Sequence, residues 1–427
     1  MNKIGQDIYS FCKSIFYINR SLTGNGVRET LNIIKNKLPT LIIHEVPTGT
    51  KCFDWEVPME WNINDAYVKN KAGKKIIDFN KNNISVLGYS SPVKKEINLK
   101  ELTSHLFSLP EQPTAIPYIT SYYKENWGFC ISENEKNKLE DGNYDVLIDS
   151  SLKNGSLTYG ELMIEGKSKK EIFISTYICH PSLANDNLSG PVLTTFLSKY
   201  IKELENNYYS YRIIFIPETI GAIVYLSKNL DILKKNVLAG FVLTCVGDDN
   251  NFSFLPSRNG NTLSDKVALH ILDFNRKEYV KYSFLDRGSD ERQYCSPNVD
   301  LPVCSVMRTK YGEFKEYHTS LDNLDFVSPN GFEGSYEIYI KIIKALENNF
   351  IYKTNVIGEP QLGKRGLYPN ISTKKTISIV RNLKNVIVYC DGKNDLIDIA
   401  NIINVPVWEL YPIINQLLEN KLISKIN

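Results

Sequence analysis

The sequence lacks most of the features that assign a chain to a class at once. Its eight cysteines (Cys12, Cys52, Cys130, Cys179, Cys245, Cys295, Cys304 and Cys390) are scattered and never form a CxxC pair, which excludes the usual spacing of a zinc ribbon or a dithiol redox centre. Several sit inside apolar, strand-like runs, so buried free thiols in a reducing cytoplasm are expected rather than disulfides. No stretch approaches the ~18 uninterrupted apolar residues that a membrane span requires. The first segment, MNKIGQDIYSFCKSIFYINRS, breaks its apolar residues with Asp7, Lys13 and Arg20 at helical spacing and so lacks the continuous apolar core of a signal peptide. An excess of charge of either sign is also missing: 50 Lys and Arg stand against 48 Asp and Glu, a net charge of +2. Such a balance supplies no whole-protein field for gathering nucleic acid or an anionic membrane. A soluble, cytoplasmic protein without a membrane or polyanion as partner is the expectation.

What is there has the length of two or three domains, 427 residues against the ~100–200 of a typical one. Residues 1–40 read as two helices, the second (GVRETLNIIKNKL) introduced by the turn-like SLTGNG. From about 50 to 155 the chain is dense in Trp, Tyr, Val, Ile and Pro, in short segments such as IPYITSYY and YDVLIDSSL separated by turn pairs, and an all-β unit is expected. Strand-like and helix-like segments then alternate, which predicts an α/β sheet. The strand EIFISTYIC ends at His180, a helix follows from about Gly190, YRIIFIP ends at Glu218, and a helix begins near Gly221. AGFVLTCVG and LPVCSVM are further strands. Past Gly358 a linker leads to DLIDIANIINVP and VWELYPIINQLLENKLIS, which have the pattern of a helix-turn-helix or winged-helix unit. The expected division is 1–50 with 156–355, an inserted 51–155, and a tail over 360–427.

In an open α/β sheet, ligands bind beyond the carboxyl ends of the strands, and both His180 and Glu218 fall at such ends. Only five histidines occur, and two stand in polar, turn-rich surroundings, CHPSLANDNLSG around His180 and EYHTSLDNLDF around His318. Between His180 and Asp186 runs a short polar loop, while Asn187, Ser189 and Gly190 offer groups suited to opening the next helix. A catalytic zinc takes three protein ligands from His, Asp or Glu and keeps one position for water. His180, Asp186 and His318 would supply that set, with Glu218 as the acceptor of the water proton.

Together these residues resemble the co-catalytic zinc aminopeptidase and glutamate carboxypeptidase superfamily. Its order is a strand-end histidine, an Asp-Asn pair opening a helix, a Glu-Glu pair followed by a glycine, a later strand aspartate, and a Tyr-His-Thr segment before an aspartate-rich turn. His180, Asp186-Asn187, Glu218 with Gly221, and Tyr317-His318-Thr319 with Asp322 and Asp325 match it in order. Ser289-Asp290, in RGSDERQYCSPNVDLP, is similar to the family's Ser-Asp segment near the substrate pocket. Two positions depart: the second glutamate, normally a metal ligand, is Thr219, and the strand aspartate falls at Thr244 or Cys245. One zinc is therefore expected, with Asp248 and Asp249 able to restore a ligand from a shifted position. In the two-metal pattern the two histidines serve different ions bridged by the aspartate, so a single ion needs either a rearrangement or Glu218 as ligand, and the residues leave both open.

The whole-chain pattern resembles bacterial aminopeptidase-like proteins of surface-polysaccharide loci. It implies a mixed α/β sheet of aminopeptidase-like fold sandwiched by helices, with an inserted all-β domain and a C-terminal winged helix-turn-helix domain. The function implied is zinc-dependent hydrolysis of an amide or peptide bond, in a small peptide or an N-acylated sugar. The alternatives are a catalytically impaired binding protein on the same frame, and a regulator using the helix-turn-helix. Ser289, Asp290, Arg292 and Tyr311 are the expected substrate-binding residues, Arg292 because a guanidinium can hold a carboxylate bidentately. Residues 373–427 hold seven Lys and Arg against five Asp and Glu, too little basic excess for phosphates, so the tail is expected to dock or to form a homo-oligomer rather than to bind nucleic acid. Trp55, Trp61 and Trp127 could stack on a sugar, although core packing is the expected role.

Overall fold

The computed structural model describes residues 3–275, 278–367 and 374–426. Parts of the expected N-terminal helix, linker and tail (residues 1–2, 368–373 and 427) lie outside the described residues. The chain forms two compact units, one of Met1–Thr262 with Val280–Tyr336 and the other of Leu263–Tyr279 with Glu337–Asn427.

The larger unit is built on a mixed sheet whose strands Ile42–Pro47, Ser156–Ile164, Ser210–Ile216, Glu171–Tyr177, Val237–Val242, Val303–Met307 and Phe252–Leu255 lie side by side in that order. The four from Ser210–Ile216 to Val303–Met307 are parallel and the flanking ones antiparallel. EIFISTY and SYRIIFI are buried at every position, as expected of β-branched and aromatic runs covered on both faces. The helix Ile220–Asn236 turns Ile223, Val224 and Leu226 into the same core as Phe173, Ile214 and Val242. From Glu171–Tyr177 the chain steps to one neighbour, Ser210–Ile216, and then across to the other, Val237–Val242. The topological switch point therefore lies at the end of Glu171–Tyr177, where the loop carrying His180 and Asp186 begins.

The helix Ser189–Glu203 starts directly after that loop. Asn187 and Ser189, expected to open this helix, do not cap it; no side-chain cap hydrogen bond is present. Instead Asn187 Nδ2 donates to the Tyr177 carbonyl at 2.7 Å and Ser189 Oγ to the Asn185 carbonyl at 2.6 Å. Both side chains face the buried loop, whose own polar groups need partners more than the helix start does.

The segment 51–155 adds an antiparallel sheet in the order Lys75–Asp78, Glu60–Asn70, Asn143–Lys153, Val93–Asn98. Along Asn143–Lys153 the buried residues Tyr144, Val146 and Ile148 alternate with outward ones, the period-2 pattern of a half-buried strand. They meet Ala66, Val68, Ile97, Phe129 and Ile131 in a core of their own.

In the second unit the helices Leu396–Ile403 and Val407–Glu419 accompany an antiparallel sheet ordered Asp391–Asp395, Ile351–Thr354, Ile423–Ile426, a winged helix-turn-helix. Asp395 and Asp398 form a capping box on the first of these helices. Lys266, on the helix Leu263–Asn275, donates to both carboxylates at 2.5 and 2.8 Å. His270 Nε2 accepts the Val407 N–H at 2.9 Å, which leaves Nδ1 to donate to Asn401 Oδ1 at 2.5 Å. A helix far away in the sequence thus belongs to the winged-helix unit. Among the described residues no single helix is long and apolar enough to cross a membrane.

Gly190 allows the approach of helix to sheet that sets the His180–Asp186 loop. A Cβ there would sit 2.3 Å from the Leu243 carbonyl oxygen and 2.5 Å from Thr176 Oγ1. Gly190→Ala is expected to lower stability by about 1–3 kcal/mol or more, read as a lower urea midpoint at unchanged slope.

Candidate metal centre

The loop after Glu171–Tyr177 buries its polar residues almost completely. His180, Asn185, Asp186 and Asn187 are all buried, and a carboxylate so placed needs partners. Asp186 takes the Tyr177 hydroxyl on Oδ1, and its Oδ2 lies 3.2 Å from His318 Nε2. Burial acts to raise the Asp186 carboxyl, yet the His318 hydrogen bond, the electrostatics of the two neighbouring imidazoles and the Tyr177 hydrogen bond hold it below its ordinary value. Asp322 fixes the loop from the other side, its two oxygens accepting the Asn185 and Asp186 N–H groups at 2.7 and 2.9 Å. The buried Arg20 guanidinium donates to the His180 carbonyl at 2.8 Å and to those of Ile15 and Phe16.

His180 is buried, which lowers its imidazole to about 4 and keeps it neutral, the form that binds metal. Its Nε2 is 3.8 Å from Glu218 Oε2. Burial, with the Asp290 and Asp186 carboxylates nearby, pushes Glu218 well above the ordinary carboxylate range. The donor atoms of His180, Asp186 and His318 lie within 4.8 Å of one another, and those of Cys179, His180 and Glu218 form a second such group. Ligands on one zinc at ~2.0–2.2 Å stand about 3.3–3.5 Å apart, so the first set closes on an ion with small shifts. The donor chemistry fits zinc, two imidazoles and a hydrogen-bonded carboxylate.

The departures from the two-metal pattern are structural facts as well. The Thr219 hydroxyl accepts from Arg292 Nη2 at 2.9 Å and its N–H donates to Asp290 Oδ1 at 2.7 Å. The Thr244 hydroxyl pairs with that of Tyr177 at 2.7 Å. Asp248, the candidate for a shifted ligand, is buried and bound to Asn185, Asn250 and Thr309 and is not in either group of converging donors, while Asp249 stands exposed 4.0 Å from Arg308. Ser182, Thr219, Cys245 and His318 all have positive φ, a concentration of uncommon backbone of the kind functional sites hold.

Of the expected substrate-binding residues, Arg292 is exposed beside Thr219, whereas Ser289 and Asp290 are buried. The Tyr311 hydroxyl turns inward to Glu291 and the Gly288 N–H.

A cavity of about 150 Å³ opens on His180, Glu218 and His318, and much of its wall comes from the β-rich insert. Trp55, expected in a core, lines it with Tyr118, Tyr122 and Tyr123. Trp61 is buried with Nε1 donating to the Ser90 carbonyl, and Trp127 stacks on His105. The insert also grips the His318 loop: Tyr118 N–H donates to the His318 carbonyl at 2.8 Å, and Ile116 and Ser320 exchange two hydrogen bonds. The Tyr118 ring centroid lies 5.4 Å from that of His180 and 5.3 Å from that of His318. No motif in the sequence singles out these tyrosines. Their only signal is their density in IPYITSYY, which a β core would equally explain.

The mixed sheet with a loop-borne site at its switch point is the aminopeptidase-like α/β fold, here joined to a winged helix. The chain belongs to the family described as a domain of unknown function, DUF4910, which matches residues 9–349, and a winged helix-turn-helix matches residues 350–425. A Clostridium acetobutylicum protein described as a candidate polysaccharide biosynthesis protein with aminopeptidase-like domain is 48% identical over 401 residues, 93% of this chain and 92% of that one. The crystal structure of a candidate peptidase from Clostridium acetobutylicum is 45% identical, with a TM-score of 0.94 over 99% of this chain and 97% of its own. A zinc aminopeptidase from Bacillus subtilis shares the fold at 10% identity, with a TM-score of 0.56 over 80% of this chain and 94% of its own.

Asp322→Asn replaces one of the two acceptors that hold the loop by an amide donor facing an N–H. It is expected to cost ~1–3 kcal/mol, measurable as a lower melting temperature.

Proposed function

We propose that the chain is a zinc-dependent hydrolase of an amide or peptide bond, with one zinc held by His180, Asp186 and His318 and with Glu218 as the general base. The observation that carries this reading is the convergence of the donors His180, Asp186 and His318 at the carboxyl edge of the parallel strands, where His180 and His318 share one cavity with the Glu218 carboxylate. Bound there, zinc supplies Lewis acidity and brings the pKa of a water towards about 7. Glu218, 23% exposed and raised by its surroundings, accepts the water proton and returns it to the leaving nitrogen. Tyr177 and Asp322 hold Asp186 and its loop, and Arg20 holds the His180 carbonyl, so the donors stay in place without a bound substrate. Arg292 reaches the substrate from the rim, Asp290 fixes Thr219 from beneath, and Ser289 and Tyr311 shape the segment that carries them.

The relative described by polysaccharide biosynthesis suggests the setting, with a small peptide or an N-acylated sugar as substrate. Eight buried free thiols suit the cytoplasm. The winged-helix unit serves docking or self-association: its second helix, VWELYPIINQLLE, carries Glu409 and Glu419 as its only charges, which suits a phosphate backbone poorly.

Elemental analysis is expected to find about one zinc per wild-type chain, lost from His180→Ala and from His318→Ala. Glu218→Gln should keep the metal while kcat on an identified substrate falls about a hundredfold or more; full turnover in that variant, or a metal-free wild type, would sink the reading. Full-length protein should give no gel shift that survives about 150 mM salt; a shift lost on removing residues 360–427 would instead make the tail a nucleic-acid reader.

A further inference from the structure

The cavity over Glu218 has a chemical bias that the metal donors do not account for. Its walls combine apolar surface from Leu22, Trp55 and Ile220 with neutral hydroxyl groups from Tyr118, Tyr122 and Thr219. Among the described residues that line it, Glu218 is the only carboxylate. Asp290, the nearest further acid in its effect on Glu218, is fully buried, off the cavity wall, and accepts the Thr219 N–H. The positive group beside the lip is the Arg292 guanidinium, whose Nη2 is 2.9 Å from Thr219 Oγ1 and whose Nε donates to the Ser289 carbonyl at 3.1 Å.

A substrate with a free α-ammonium next to the scissile carbonyl would need a carboxylate of its own, because an ammonium moved out of water without a counter-charge is strongly disfavoured. Glu218 is committed to the proton of the attacking water, and Arg292 repels a second cation. A neutral acyl group meets none of these penalties. Aromatic and aliphatic walls take its apolar part, and phenolic and threonine hydroxyls can donate to its carbonyl oxygen. A volume of about 150 Å³ suits a small acyl group, since a cavity of roughly that size holds a benzene ring.

We infer that this cavity receives the uncharged acyl portion of an N-acylated amine, so that the chain removes a small acyl group from nitrogen instead of releasing an amino acid that bears a free amine. The inference rests on the amide-hydrolase reading above. Water supplies the new C–O bond, the C–N bond breaks, one water proton passes through Glu218 to the leaving nitrogen, and the acid so formed gives its remaining proton to the amine, so that the products are a carboxylate and an ammonium ion.

The test uses zinc-loaded full-length protein on two sets of probes. One set is acylated amines, N-acetylglucosamine, N-acetyl-L-leucine and 4-nitroacetanilide, followed by acetate release. The other is amides with a free α-amine, L-leucine 4-nitroanilide and L-alanyl-L-alanine. The best acylated probe is expected to exceed the best amine-bearing probe in kcat/KM by at least about tenfold, the factor that 1.4 kcal/mol of discrimination gives. Thr219→Glu, or Thr219→Asp where the longer side chain prevents folding, puts a carboxylate on the wall and should narrow or reverse that ratio. Faster turnover of the amine-bearing set by wild type overturns this inference and leaves the hydrolase reading standing. Turnover of neither set, with zinc bound, overturns the hydrolase reading and this inference together. A ratio that the Thr219 variants do not move removes the electrostatic argument on which the inference stands.

Discussion

A carboxylate buried at the end of a parallel strand cannot stand alone, and Asp186 is met from three directions. The Tyr177 hydroxyl reaches up from the strand itself, the His318 imidazole comes from a loop more than a hundred residues later, and Asp322 accepts the Asp186 N–H. Removing the charge from water is costly unless the Tyr177 and His318 partners are present, and the buried Asp186 N–H in turn needs Asp322 as its acceptor. The His180 loop, the start of the helix Ser189–Glu203 and the His318 loop are therefore all fixed by the need to satisfy one side chain and the backbone around it. Gly190 contributes by letting that helix begin against the Leu243 carbonyl. The candidate donors His180, Asp186 and His318 converge as a consequence of this arrangement.

The β-rich insert takes part in the same arrangement. It has its own core around Phe129, Val146 and Ile148, yet its loop at Ile116–Tyr118 pairs with the chain at His318–Ser320 and sets one donor. Trp55 and the tyrosines of the same insert then wall the cavity. One segment thus positions a donor and limits what can approach it. The two residues that depart from the two-ion pattern are engaged in hydrogen bonds, Thr219 with Arg292 and Asp290, and Thr244 with Tyr177. Hydroxyl groups stand at positions where that pattern has carboxylates, which lowers the negative charge beside the candidate donors.

The winged-helix unit has a sequence-distant member of its own. Lys266 and His270 bind the cap of one helix, its Asn401 and the first turn of the next. Those contacts satisfy the aspartates at the start of Leu396–Ile403 and the free N–H of Val407, groups that a helix terminus leaves without an intrahelical partner.

Much of this was legible in the sequence because it depends on local order. Apolar runs such as EIFISTY and YRIIFIP specify buried parallel strands wherever they fall, and the residues that follow each of them, His180 and Glu218, must lie at the same sheet edge. The tail's two short apolar periods, joined at NVP, could form little other than a helix-turn-helix. What required the tertiary structure were contacts between segments that no periodicity relates: Tyr118 against His318, Arg292 on Thr219, Lys266 on Asp395, and the diversion of Asn187 and Ser189 from helix capping to the buried loop. Sequence alone determined which side chains reach the carboxyl edge of the sheet, since strand ends are set by hydrophobic pattern. Only the fold decided which of them share a cavity and what lines it, because that depends on buried polar groups finding partners across hundreds of residues.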